Sequence, residues 1–145
     1  SVWEDSCVEF FMQREGEAIY RNFECNPLGV LLSRRNEKKG KGDPQTELMA
    51  SIFRYGTILH RYENDKEVSD WTMYLEIPKS ALGFEIPKQA LGFSGQEALD
   101  GQKIKANFYK CGDLTPEPHF LSWSPIDLPE PNFHTPQFFG QLELE

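Results

Sequence analysis

Residues 118–140 hold the densest set of side chains able to do chemistry: Trp123, Phe133, His119 and His134, set among prolines that stiffen the backbone. Flat rings on stiff loops suit a ligand with an apolar face. A pyranose has such a face, together with a rim of hydroxyls that carboxylates and amides take in paired hydrogen bonds. Each of these groups also has a structural use, since a ring can cap the end of a fold and an imidazole can lock a loop. Trp3 is a further candidate platform, because so large a ring beside Glu4 and Asp5 stands in a polar setting. Glu9 interrupts an apolar stretch, so it either faces solvent or is paired inside a site.

Other chemistries find less support. A glycosidase needs two carboxylates across a cleft, and Glu9 with Asp113 or Glu117 could supply them. No nucleophile elbow, His-Glu-x-x-His helix or Gly-rich phosphate loop is present, so the chain reads as a binder and not an enzyme. Met12, Met49 and Met73 with His60, His119 and His134 offer haem-ligand types, but no spacing selects a pair. Cys7, Cys25 and Cys111 fit neither a zinc ribbon nor a Cys-x-x-Cys motif, and three thiols cannot all pair within one chain. They read as buried free thiols.

The elements that must position these groups are mostly strands. Residues 7–13 and 18–25 form a hairpin around a short Gly-containing turn, and residues 29–33 make a third strand. The loop after it carries Arg34, Arg35, Lys38, Lys39 and Lys41, read as a solvated hairpin loop ending at Asp43-Pro44. Residues 48–55 have mixed signals and are assigned to a strand. Residues 70–77 alternate cleanly, placing Trp71, Met73, Leu75 and Ile77 on one face, with Trp71 expected in the core. The octets 77–84 and 86–93 are near copies, each a Pro-started helical turn stopped by Gly, expected on the surface. Strands at 103–111 and 140–144 complete an all-β, antiparallel β-sandwich expected to form one domain over residues 1–145.

The 145 residues suffice for a single core, and 39% hydrophobic content with 13% aromatic residues is that of a folded globule. A net charge of -8 repels a phosphate backbone, which argues against nucleic acid as a partner. No apolar run is long enough to span a bilayer. The start at Ser1, without a Met, suggests a trimmed piece of something longer.

Five segments in order, residues 2–11, 20–24, 107–113, 118–126 and 131–140, resemble the carbohydrate-binding family 9-like domains, especially small bacterial members. The resemblance implies a β-sandwich related to DOMON domains, a saccharide ligand, no catalysis, and an extracellular or periplasmic location. It places Trp3 as the first stacking ring, Glu9 as a hydroxyl-binding carboxylate and Asn22 as its amide partner. The family's ligand-binding Arg falls at Tyr20, leaving Arg21 as the nearest cation, and the second stacking ring falls at Phe133 or His134, with Trp123 as the alternative. No cofactor is required, although relatives carry structural calcium. Family domains have strands ahead of the Trp3-Glu4 region, so an N-terminal segment or self-association is expected to cover an exposed sheet edge. A protein-interaction sandwich, a haem-binding DOMON-like sandwich and a glycoside-processing enzyme are the competing readings.

Overall fold

Strand alternation dominates the computed structural model, which describes residues 1–84, 99 and 101–145. Among the described residues the strands are β1 (Cys7–Arg14), β2 (Tyr20–Cys25), β3 (Leu31–Lys38), β4 (Lys41–Pro44), β5 (Phe53–Glu63), β6 (Lys66–Glu76), β7 (Lys103–Gly112), β8 (His119–Ser122) and β9 (Gly140–Glu143), with one short α-helix, α1 (Thr46–Ser51). Among the described residues all pairings are antiparallel. The seven-stranded sheet runs β4-β3-β2-β1-β7-β8, with β9 on β7, and β5 and β6 make a separate two-stranded sheet. The fold is all-β.

Central position explains burial. In β2, between β1 and β3, every residue is buried, while the edge strand β4 is mostly exposed. Because side chains alternate, β1 sends Met12 to one face of the sheet and Phe11 to the other. The first face gathers Met12, Phe23, Ile104 and Ala106 with Ile52, Ala81 and Phe84, and Leu75 and Ile77 bring the base of the β5–β6 hairpin onto it. The second face packs Phe11, Tyr20, Tyr109 and Phe139, with Ile126 and Phe133 descending from the C-terminal loop.

Four expectations need correction. The basic run is not a loop: β3 continues through Arg34 and Arg35 to Lys38, turns at Gly40 (φ 75°), and returns as β4. Residues 48–55 are split between α1 and β5, because the helical spacing of Leu48 and Ile52 lets both reach the Met12 cluster. The first Pro-Gly octet is no surface excursion, since Ala81 is wholly buried and Phe84 nearly so. Its Ala81 and Leu82 amides donate to the Pro78 carbonyl, and Gly83 (φ 85°) ends the turn where a Cβ would strike the Arg21 guanidinium. The second octet, 86–93, lies outside the described residues. Finally, Trp71 shares the expected face but is half-buried, its Nε1 donating to Ser6 Oγ at 3.2 Å. The β5–β6 turn rests on Asn64 (φ 50°) and Asp65 (φ 61°), side chains that tolerate the left-handed region.

Candidate functional site

Strand periodicity gathers the candidate polar groups on the second face. Glu9 of β1 is the register partner of Glu24 of β2, which faces Leu32 of β3, while Asn22 pairs with Arg34. Residues two apart share a face, so Glu9, Asn22, Glu24 and Arg34 all point the same way. They line a cavity of about 380 Å³ together with Trp3, Asn36, Phe120, Phe133 and His134.

Its floor is a polar ladder. Asn36 Nδ2 donates to Asn22 Oδ1 at 2.7 Å, and Asn22 Nδ2 donates to Glu24 Oε1 at 2.6 Å. Glu24 Oε2 is a buried oxygen with no hydrogen-bond partner among the described residues. Burial pushes the Glu24 carboxyl up to about 7, against the opposing pull of the Asn22 hydrogen bond and Arg34. Glu9 goes further, to about 10, through burial first and then the proximity of Glu24 and Cys111. Near neutral pH the Glu9 carboxyl is therefore protonated, able to donate as well as accept. Gly42 of β4 completes the floor: a Cβ there would overlap Asn36 Oδ1, so only glycine lets β4 pass this amide.

The rim is aromatic and half-open. Trp3, in the 3-10 turn Val2–Glu4, is 38% exposed and Phe120 on β8 is 41% exposed, whereas the floor amides Asn22 and Asn36 are within 2% of complete burial. Phe133 stands on the C-terminal loop, backed by Tyr109 of β7. The loop is tied down from the sheet. Asn107 clamps it through both amide atoms, with Nδ2 donating to the Ser124 carbonyl at 3.0 Å and Oδ1 accepting from the Ser124 amide at 2.8 Å. Ser124 Oγ in turn donates to the Phe138 carbonyl at 2.7 Å.

The sequence-derived candidates divide cleanly. Trp3, Glu9, Asn22, Phe133 and His134 line the cavity. Tyr20 is buried behind it, its hydroxyl 2.8 Å from His134 Nδ1. Burial, with Lys39 and Arg34 nearby, lowers His134 to about 4, so its ring is neutral near pH 7. Trp123 does not line the cavity: its ring lies over Gly140 and meets Phe108 edge-on, which belongs to the opposite face. Arg21 also points away and pairs with Glu17 at 2.7 Å. Arg34, supplied by β3, is a cation that lines the cavity, with Lys39 beside the β3–β4 turn. Glu24, Arg34, Asn36 and Phe120 escaped the sequence reading. Glu24 was within reach of it, being two residues beyond Asn22 in the same strand.

The family described as carbohydrate-binding family 9 matches residues 1–144. A crystal structure of a candidate carbohydrate-binding protein from Bacteroides uniformis ATCC 8492 is similar at 39% identity and a TM-score of 0.78, over 99% of this chain. The chain spans 63% of the length of that structure. No curated protein matches it.

Proposed function

Because the chain belongs to carbohydrate-binding family 9, we propose that the cavity on the second face holds a saccharide, bound without catalysis. The observation that carries this reading is the pairing of a half-open aromatic rim with a buried floor of amides and carboxyls. Trp3 and Phe133 or Phe120 offer rings to the C–H face of a sugar. Glu24, Asn22, Asn36 and Arg34 meet the hydroxyl rim, and the unpartnered Glu24 Oε2 is an acceptor awaiting a donor. Tyr20, buried behind the cavity, fixes the His134 ring through its hydroxyl and meets no ligand itself. The ligand class implies action outside the cytoplasm, in an extracellular or periplasmic setting.

A calorimetric and glycan-array screen of mono- and oligosaccharides tests the proposal with two variants. Trp3→Ala should weaken saccharide binding about tenfold or more, the loss of one stacking contact and its buried area. Trp123→Ala should leave affinity unchanged, since that ring lies off the cavity. No saccharide binding by the folded wild type, or equal losses in both variants, would overturn the assignment.

A further inference from the structure

Cys7 and Cys111 are register partners across β1 and β7, and Glu9 follows Cys7 by two residues on the same face. All three side chains are buried. One ligand atom from each, two Sγ and a carboxylate oxygen, lie within 4.8 Å of one another. The Cys111 thiol donates to Glu9 Oε1 at 3.2 Å. Cys25, the third thiol, pairs with Val8 and therefore projects from the opposite face.

We propose that Cys7, Glu9 and Cys111 form a three-ligand site for a thiophilic divalent cation of the zinc class, with its fourth position open to the cavity. Zinc–sulfur bonds of about 2.3 Å and zinc–oxygen bonds of about 2.0–2.2 Å place tetrahedral ligand atoms about 3.5–3.8 Å apart, so small side-chain adjustments suffice. The ligand set selects the metal. Two thiolates are soft donors that favour zinc-like ions, whereas calcium and magnesium take oxygen ligands only. Glu9 and Cys111 line the cavity and Cys7 does not, so the vacant coordination position points toward the cavity, where water or another oxygen donor completes the tetrahedron. The strands supply rigidity, since the register of β1 and β7 fixes all three Cα positions. Binding displaces the two thiol protons and the carboxyl proton to solvent, leaving two thiolates and a carboxylate around the cation. The Lys110 ammonium donates to the Cys111 backbone carbonyl at 2.8 Å, which brings a positive charge to the strand that carries Cys111.

Cobalt(II) titration of the reduced, metal-free wild-type chain tests the site directly, because thiolate–cobalt coordination gives intense charge-transfer absorption. One equivalent of cobalt should develop these bands, zinc should displace it, and the melting temperature should rise with either metal. Cys7→Ser and Cys111→Ser should abolish the bands, while Cys25→Ser keeps them. Absence of charge-transfer bands in folded, reduced wild type would overturn the proposal, as would bands that survive in Cys7→Ser. The wild-type titration decides the matter even if a variant fails to fold. Saccharide binding measured on Cys7→Ser separates this site from the sugar reading, because Cys7 lies outside the cavity lining.

Discussion

The ring of Tyr109 lies parallel to that of Phe133, with 4.0 Å between centroids and 7° between planes, and its hydroxyl donates to the Phe133 carbonyl at 3.1 Å. One sheet residue thus fixes both the side chain and the backbone of a rim residue 24 positions away. Tyr109→Phe keeps the stack and removes the hydrogen bond, so it should cost about 1 kcal/mol in denaturant unfolding. Tyr109→Ala removes both and opens a void, with an expected cost of about 3–5 kcal/mol. Equal costs for the two variants would mean that the stack contributes nothing.

Arg34 and Arg35 are adjacent in β3 yet belong to opposite faces, since Arg34 pairs with Asn22 and Arg35 with Arg21. Arg34→Met should weaken saccharide affinity about tenfold to a hundredfold, the loss of a hydrogen bond from a charged group. Arg35→Met should leave affinity within twofold. Calorimetry on the two variants side by side checks the assignment of faces.

Gly42 is the residue that lets β4 pass Asn36. Gly42→Ala drives a methyl into Asn36 Oδ1 and displaces the head of the ladder that runs through Asn22 to Glu24. A stability loss of about 1–3 kcal/mol is expected from the overlap, together with weaker saccharide binding. Gly16, around which nothing lies close but whose φ is 79°, provides a contrast: Gly16→Ala should cost stability through backbone strain alone and leave binding intact.

His134 gives stability a pH dependence of known sign. Its native value of about 4 lies below the 6.5 of an unperturbed histidine, so the unfolded chain takes up this proton first. The contribution of neutral His134 is therefore complete above pH 6.5, falls as pH drops toward 4, and changes no further below that. Glu24, raised to about 7, works in the opposite direction: the cost of ionising it in place grows as pH rises from 4.5 to 7. The two effects overlap, so the informative quantity is the difference between wild type and His134→Gln. That difference should shrink steadily from pH 6.5 to 4. A flat profile would show that His134 titrates normally in the fold.

Much of the scaffold was legible in the residues. The strands over Cys7–Arg14 and Tyr20–Cys25 were visible as short aromatic runs bounded by turn residues, and the strand ending at Glu76 by its alternation, because both signals are local properties of the chain. The family resemblance, not the strand period, made Trp3, Glu9, Asn22, Phe133 and His134 nameable as candidates for one ligand class. The long β5–β6 hairpin is less legible, because its turn carries no Gly or Pro and rests instead on Asn64 and Asp65 in the left-handed region.

What the sequence by itself determined is a part of the strand list, β1, β2, the end of β6, β7 and β9, and which residues of each share a face. What only the tertiary structure decided is which faces meet. The pairing of Cys7 with Cys111, and of Asn22 with Arg34, depends on strand order and register, which are set by contacts between residues far apart along the chain. A shift of one residue in β3 would send Arg34 to the opposite face and bring Arg35 into the cavity, with no change in local pattern. The same logic carried Trp123 away from the site: its composition suits a sugar platform, but the close passage of Gly140 gave its ring a place on the other side of the sheet.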